Sequence, residues 1–334
     1  AITLRRLIIT LLICVLVTGS ATSIHNAFLL NDYQDTTSAS KTEILIEDGD
    51  TGAEISQKLY SSGVIKVTKV FYKLALNQKR ATSISPGIHE IDLKISAQSA
   101  LNQLLDPTRN RGVFRFNEGL RKVEILDLLA KSKLVTGQLS PAIKPADIFK
   151  TNSLEGFLFP ANYSFAPGTT TDQAITQMLT RFNLSAKTSK IDQGYGKFSP
   201  FELVIIASIA QAEGDVQDFT KIAQVIYNRL KIGMPLQMNT TIEYAANLRG
   251  KIRLPYKQLE INSRYNTYKY QGLPPGPIGN PGQAALEAAV NPQMGDWLYF
   301  ITVKPQDTRF TSSIKEFNTW ANEFRKNEEA GLFK

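Results

Sequence analysis

The chain has 334 residues and a formal net charge of +8, which leaves room for two modest domains plus an anchor. The basic excess fits a partner with negative charge, but no basic stripe interleaved with aromatic residues is visible, so we expect no nucleic-acid partner. The single cysteine, Cys14, lies in the N-terminal apolar segment, which excludes an internal disulfide and thiol chemistry, and two histidines, His25 and His89, are too few for a histidine-based zinc site. A Ser-His-Asp triad would have to use His89, and no nucleophile-elbow motif accompanies it.

The N-terminal segment predicts a membrane anchor. Arg5-Arg6 precede the apolar run Leu7–Val17, and no other charged residue occurs in 1–31. An uncharged stretch of this length supplies the roughly 20 residues that cross a bilayer, and the basic flank places the N-terminus in the cytoplasm. We therefore predict a cytoplasmic flank and a single transmembrane helix over 1–31, then a polar linker over 32–41. A cleaved signal peptide is the alternative, because Gly19-Ser20-Ala21 offers small residues to a peptidase.

The next part of the chain contains an internal repeat. Gly49, Ile55 and Leu59 recur at identical spacing as Gly119, Ile125 and Leu129, each set after a strand-like run. Two strand–turn–helix units of one design are therefore predicted. The predicted elements of this part are the strands Glu43–Ile46, Ile88–Ile91 and Val113–Phe116 and the helices Ala53–Tyr60 and Ala97–Leu105. Asp50-Thr51-Gly52 resembles an aspartic-protease triplet, but we interpret it as a turn that enters a helix.

The run Leu154–Phe165 is apolar and carries one acid, Glu155. Two interpretations stay open. In one, Glu155 is a satisfied structural partner in the core; in the other, it approaches a cleft and orients the substrate or another acid. Downstream, Gln173–Phe182 has the spacing of an amphipathic helix without chemical groups of its own.

The most informative helix begins at Ser199. Ser199, Pro200 and Glu202 form a start signal with a capping box, and the run Leu203–Ala210 is apolar almost all round, which is typical of a buried helix. Glu213 falls on its last turn, just before Gly214. Apolar neighbours and the negative end of the helix dipole both raise the pKa of a carboxyl group, as a general acid requires. The alternative is a helix-end acid exposed to solvent.

A second helix and a long loop follow. Asp218–Gly233 predicts an amphipathic helix, and Asn262–Gly282 is dense in Tyr, Asn, Pro and Gly, which indicates a long ordered loop. Within this part, the side chains predicted to meet a sugar are Gln237, Tyr265, Asn266 and Tyr268. The alternative is that the tyrosines only anchor the loop, and we favour this for Tyr270. Asn280 is expected to cap a helix that ends at Val290, and Trp297–Val303 to form a buried strand.

Several motifs occur in an order that resembles the endolytic murein transglycosylases, the YceG-like family. The matching motifs are Leu154–Pro160, Ala207–Glu213, Tyr227–Leu230, Gly233–Gln237, Tyr265–Tyr268, Gly272–Ile278, Asn291-Pro292 and Trp297–Phe300. The chain departs from the family pattern at three places. Asn239-Thr240 replaces the common Asp-Pro pair, Gln211-Ala212 replaces an acidic run, and Phe317-Asn318 replaces a His-Asn pair.

The resemblance implies an α+β fold with an N-terminal transmembrane helix, a small LysM-like module over 42–107, a catalytic domain over 108–325 and a tail over 326–334. It implies an enzyme that cuts the MurNAc–GlcNAc β-1,4 bond in nascent glycan strands and leaves 1,6-anhydro ends, with Glu213 as both acid and base. No metal or organic cofactor is expected. The expected partners are peptidoglycan strands, the inner membrane and peptidoglycan synthases, with the catalytic domain outside the cytoplasm.

Two rival functions stay open from the sequence. A hydrolytic muramidase would need a second acid, such as Glu155 or Asp215, to activate water. A non-catalytic, membrane-tethered peptidoglycan-binding scaffold would need no acid at all. The apolar setting of Glu213 speaks against the scaffold, because an unneeded acid there costs stability.

Overall fold

The computed structural model of the chain describes residues 32–34, 40–47, 49–78, 83–166, 168–250 and 256–333. The predicted anchor over 1–31, with Arg5-Arg6 and Cys14, lies outside the described residues, as does 35–39 of the predicted linker. Among the helices in the described ranges, none combines the length and the apolar character needed to cross a bilayer.

The chain divides into two compact units. The first contains the described residues up to Phe114 and the segment Ser164–Pro167; the second contains Arg115–Tyr163 and Gly168–Lys334. The predicted module boundary at residues 107 and 108 lies near this division. All the residues predicted to form the catalytic site belong to the second unit.

The first unit is a small antiparallel sheet covered by helices. Its strands run in the order β1-β2-β3, and Ile44 of β1 pairs with His89 of β2. Its elements are β1 (Lys41–Ile46), α1 (Gly52–Ser61), α2 (Thr68–Asn77), β2 (Gly87–Asp92), α3 (Ala97–Leu105) and β3 (Asn110–Arg111). The predicted elements are confirmed here, but α2 is an additional helix. Its first turn follows Val67, which forms no side-chain cap, so the sequence carries no start signal.

The triplet Asp50-Thr51-Gly52 enters a helix, as predicted. The Thr51 hydroxyl accepts a hydrogen bond from the Glu54 N–H, and the Glu54 carboxylate accepts one from the Thr51 N–H at 2.7 Å. The strand–helix–helix–strand order of β1, α1, α2 and β2 is an observation; the LysM-like identity of this unit stays a prediction.

The elements that follow β3 are mostly helical. They are β4 (Val113–Arg115), α4 (Lys122–Ser132), β5 (Asn162–Ser164), α5 (Thr171–Ser189), α6 (Pro200–Glu213), α7 (Phe219–Lys231), α8 (Asn239–Ala245), α9 (Tyr256–Leu259), α10 (Gln283–Val290), β6 (Tyr299–Lys304), β7 (Asp307–Thr311) and α11 (Ile314–Glu329). β4 pairs with β5, and β6 pairs with β7.

The predicted internal repeat is confirmed by local structure. β1 with α1 and β4 with α4 are both strand–turn–helix units. The matching glycines, Gly49 and Gly119, have φ angles of +93° and +77°, so each turn uses a left-handed conformation that favours glycine. The apolar residues that match in the two units are all buried: Ile55 with Leu59, and Ile125 with Leu129.

Helix α6 lies at the centre of the second unit, against α7 and α10. It begins as predicted, because Ser199 and Glu202 exchange capping-box hydrogen bonds. All eight residues of Leu203–Ala210 are buried. Each large aliphatic side chain among them contributes roughly 1.5–3 kcal/mol on burial, so this helix is strongly anchored. Its last residue is therefore fixed by the core of the unit.

Gly214 ends α6, but for a reason that the sequence did not reveal. Its φ of −157° is extended rather than left-handed, so the glycine is not a left-handed cap. A Cβ atom at this position would lie 2.4 Å from Cδ1 of Ile222 in α7. The side chain of Ile222 therefore fills the space beside Gly214, directly after the predicted acid, and would have to shift to admit a larger residue.

Three other predictions need correction in detail. Helix α7 has the predicted apolar face, but Leu230 is only half-buried. Asn280 does not cap α10; its side chain donates to the Leu120 carbonyl and accepts from the Leu158 N–H, because the loop turns its amide towards the interior. The predicted strand near Trp297 begins at Tyr299 and is buried only at Val303, since β6 and β7 form a two-stranded sheet by themselves.

Candidate active site

Glu213 is the last residue of α6, and its carboxyl group is densely surrounded by protein atoms while the residue keeps partial solvent exposure. Burial raises the pKa of Glu213, and the charge of Glu243 raises it further. Hydrogen bonds from Thr240 and the charge of Arg229 act in the opposite direction. A carboxyl group that is surrounded, partly accessible and biased towards its protonated form has the properties of a general acid.

The contacts of Glu213 come from the first turn of α8. The Thr240 hydroxyl donates to Oε1 of Glu213 at 2.5 Å, and the Thr240 N–H donates to the same oxygen at 3.2 Å. The neighbouring Asn239 accepts a hydrogen bond from the Tyr268 hydroxyl at 2.7 Å. Burial raises the pKa of Tyr268, and the charge of Glu213 raises it further. We call Glu213, Asn239, Thr240, Tyr268 and Arg229 the acid cluster.

Arg229 is the buried cation of the acid cluster. It is 6% exposed, its Nε donates to the Leu298 carbonyl at 2.7 Å, and its Nη1 donates to the Leu236 carbonyl. Within the described residues it forms no ion pair closer than 4.0 Å, and burial lowers its pKa. Its guanidinium group therefore acts on Glu213 through space while it fixes the backbone just before Gln237.

The long loop over 262–282 is tied to the segment just before α8 by two hydrogen bonds. The Gln237 N–H donates to the Thr267 carbonyl at 3.1 Å, and the Met238 N–H donates to the Thr267 hydroxyl at 2.9 Å. Gln237 itself has a left-handed φ of +49° and an exposed side chain. This side chain is therefore available to a ligand near Tyr268.

Asn266 holds the loop from within. The residue is fully buried, and its amide donates to the carbonyls of Leu259 and Ile261 at 3.0 and 2.9 Å. Its Oδ1 accepts from the N–H groups of Tyr268 and Lys269. All the donors and acceptors of the side chain are thus used inside the protein, and a direct contact with a sugar stays a prediction that would require breaking these bonds.

Glu155 lies in a second group of side chains, with Tyr244, Tyr265, Arg121 and Asn280, which we call the tyrosine cluster. Its carboxylate accepts from the Lys122 N–H at 2.8 Å, from the Tyr244 hydroxyl at 3.1 Å and from Asn280 at 3.2 Å. Burial raises its pKa. Tyr244 packs against Tyr265 with ring centroids 4.8 Å apart, and Arg121 lies over the Tyr244 ring.

The structure therefore distributes the predicted site residues over two clusters. Glu213, Tyr268 and the chain at Gln237 come together at the acid, whereas Glu155 and Tyr265 meet around Tyr244. Within the described part of the chain, no hydrogen bond joins Glu155 to Glu213. Tyr270 donates to Asn262 and lies under Arg264, which agrees with the predicted anchoring role.

The sequence analysis gave no site role to five residues of these clusters: Asn239, Thr240, Arg229, Tyr244 and Arg121. Thr240 lies where the chain departs from the family's Asp-Pro pair, and this departure was the sequence feature that drew attention to the position. Arg229 lies in a matching motif that had been given no role, and nothing in the sequence indicated Tyr244. No set of three or more His, Cys, Asp or Glu side chains is arranged to hold a metal in the described ranges.

Comparisons with known proteins identify the family of the chain. The model of the YceG-like family matches residues 44–323. The endolytic murein transglycosylase of Bacillus subtilis (strain 168) is 33% identical over 304 residues, which cover 84% of both chains. The enzyme of the same name from Streptococcus pneumoniae (serotype 2, strain D39) is 41% identical over 155 residues, which cover 44% of this chain and 28% of its own length.

A solved structure of a YceG-like protein is also similar to this chain. The crystal structure of a YceG-like protein from Listeria monocytogenes aligns with a TM-score of 0.56 and 26% identity, and the alignment covers 84% of this chain and 99% of that one. The family model and the Bacillus relative both span most of the chain. The chain therefore belongs to the YceG-like family, the family of the endolytic murein transglycosylases.

Proposed function

We propose that the protein cleaves the β-1,4 bond between N-acetylmuramic acid and N-acetylglucosamine within nascent peptidoglycan strands and leaves 1,6-anhydro ends, which terminates glycan elongation. The observation that carries this proposal is Glu213: one partly accessible acid, with a raised pKa, held by Thr240 at the end of a buried helix. Family membership supports the same substrate, because the relatives are named murein transglycosylases.

The chemistry needs one group that gives and then takes a proton. Protonated Glu213 donates its proton to the glycosidic oxygen as the bond between that oxygen and the muramic C1 breaks. The resulting carboxylate accepts the proton of the muramic 6-hydroxyl while that oxygen forms a bond to C1. Glu213 ends the cycle protonated and no water is consumed, so the raised pKa serves the first step.

The substrate would be held by side chains around the acid cluster and the tyrosine cluster. Gln237 is exposed beside the loop, and burial and the charge of Glu213 raise the pKa of Tyr268. Tyr265 offers a half-exposed ring for a sugar face. Glu155 and Asn266 would support substrate binding indirectly. Glu155 fixes Tyr244 beneath Tyr265, and Asn266 fixes the backbone of the loop.

A hydrolytic muramidase is the competing chemistry, and the contacts of Glu155, one of its two candidate second acids, argue against it. Glu155 already accepts three hydrogen bonds from protein groups, so little of its carboxylate is left to polarise a water molecule. Asp215 is exposed, and its carboxylate accepts from Gln217 at 3.4 Å. A non-catalytic scaffold has no use for an acid whose pKa is raised by burial.

The proposed location is the bacterial inner membrane, with a single N-terminal span and the catalytic unit outside the cytoplasm, next to peptidoglycan synthases. Arg5-Arg6 and the apolar run Leu7–Val17 support it. Reporter fusions after residue 41, combined with membrane fractionation, test it. A reporter that is active only in the cytoplasm would contradict the orientation, and a soluble mature protein that begins near Thr22 would contradict the anchor.

The activity itself is tested by digestion of uncrosslinked glycan strands with the purified protein and by mass analysis of the fragments over time. We expect internal cuts, seen as an early drop in strand length, and new anhydro ends at every cut. Binding of strands without fragments would support the scaffold, and hydrated reducing ends would support the muramidase.

A further inference from the structure

Thr240 gives both of its donors to one oxygen of Glu213. The hydroxyl and the N–H both reach Oε1, at 2.5 and 3.2 Å. Within the described residues, Oε2 of Glu213 has no hydrogen-bond partner, while the residue keeps partial solvent exposure. The two carboxyl oxygens are therefore not equivalent before any substrate arrives.

This asymmetry decides which oxygen carries the proton. Oε1 accepts from two donors of Thr240, and a proton on that oxygen would occupy one of its two acceptor directions, so it could no longer accept both. A proton on Oε2 leaves Oε1 as the acceptor of both Thr240 donors. We propose that Thr240 is a positioning residue that keeps the transferable proton of Glu213 on Oε2, the oxygen that is free to meet the glycosidic bond. This inference rests on the proposed function.

The arrangement is a feature of this chain rather than of the usual family pattern. The common Asp-Pro pair places a proline at this position, which has neither an N–H nor a hydroxyl. The change Thr240→Pro removes both donors at once.

The same contacts adjust the acidity of Glu213. Burial biases the carboxyl towards its neutral form, and the Thr240 bonds favour the charged form, which must accept a proton in the second step. Loss of the hydroxyl should therefore raise the pKa of Glu213, since one of the groups that stabilise the carboxylate is gone. The alkaline limb of the rate profile should then move to higher pH.

The test compares rate against pH for Thr240→Val, which loses the hydroxyl but keeps the N–H, and Thr240→Ser, which keeps both donors. We expect Thr240→Val to lose about tenfold in kcat, the size of one hydrogen bond to a charged group, with KM nearly unchanged. Its alkaline limb should lie at higher pH, and Thr240→Ser should restore the wild-type profile. Thr240→Ala repeats the test if the valine does not fold.

Two control variants distinguish the role of Thr240 from the proposed function on which it rests. Thr180→Val removes a hydroxyl that bonds only within its own helix, to the Thr176 carbonyl, and should leave the profile unchanged. Glu213→Gln tests the acid itself. A Thr240→Val profile that superimposes on the wild type while Glu213→Gln is inactive would overturn the role of Thr240 and leave the proposed function standing. An active Glu213→Gln would overturn the proposed function.

Discussion

The replacement Glu213→Gln removes the proton from the proposed acid and leaves its surroundings intact. The amide oxygen of glutamine can take the place of Oε1 and accept both hydrogen bonds from Thr240, which lie at 2.5 and 3.2 Å in the native site. The side chain keeps its length, so the end of α6 and the approach of Ile222 to Gly214 are unaffected. Any loss of rate therefore reports on proton transfer.

The expected loss follows from the number of transfers that depend on this one group. A positioned acid or base contributes about 10²–10⁴ in rate, and Glu213 serves as acid in one step and as base in the next. We expect a loss of at least about 10⁴ in kcat, equivalent to about 5.5 kcal/mol of transition-state stabilisation. KM should change little, because the amide keeps the shape of the site.

The assay is the initial rate on uncrosslinked strands, with Glu202→Gln as the matched control. Glu202 is an acid of the same helix at its first turn, where glutamine also completes a capping box. The control should retain nearly full activity. A folded Glu213→Gln protein with more than about a tenth of the wild-type rate would refute the assignment, since general acid–base assistance is worth at least ~10²-fold.

Stability gives an independent check on the raised pKa of Glu213. Because the pKa of Glu213 is raised, the folded protein keeps this proton at pH values between the ordinary pKa of 4.5 and the pKa of the folded state. In that pH range the folded chain binds more protons than the unfolded chain. Its stability therefore falls as pH rises from the ordinary pKa through the folded pKa, and the loss is complete above it. Glutamine does not titrate. The Tm of Glu213→Gln minus that of the wild type should grow with pH through this window, and a constant difference would contradict a raised pKa.

The other predictions concern the residues that support the site. Asn266→Ala should lower stability by about 1–3 kcal/mol per group left unpaired in the loop, measured by denaturant unfolding against Asn262→Ala, which loses only a contact with Tyr270. Arg229→Met should lower Tm by leaving the carbonyls of Leu236 and Leu298 unpaired, and an unchanged Tm would remove its structural role. Gln237→Ala should raise KM with kcat nearly constant in steady-state kinetics, and a large loss of kcat would move Gln237 into the proton-transfer machinery.

Local signals predicted the parts of the fold that depend on neighbours in the sequence. The capping box at Ser199, the buried run that follows and the spacing of Gly49 with Gly119 each report on a few adjacent residues, and each was confirmed. Helix α2 was missed because Val67 offers no cap. The reason for Gly214 was missed because Ile222 approaches it from another helix.

The composition of the acid cluster was harder to predict, because it depends on contacts between distant segments. Glu213 was predicted from its place at the end of an apolar helix together with the family resemblance, whereas Thr240 lies 27 residues away and reaches it only in the folded chain. Asn266 was expected to face a sugar because its amide offers donors and acceptors. In the structure the loop folds around that amide, a pairing that no local pattern encodes.

Digestion of uncrosslinked strands in water labelled with a heavy oxygen isotope tests the central claim most directly. If Glu213 accepts the proton of the muramic 6-hydroxyl while that oxygen forms a bond to C1, every new muramic end is an anhydro end without label. Hydrolysis would instead give an end that is heavier by one water and carries the isotope. Unlabelled anhydro ends from the wild type, absent with Glu213→Gln, are the predicted result; labelled reducing ends would contradict the account.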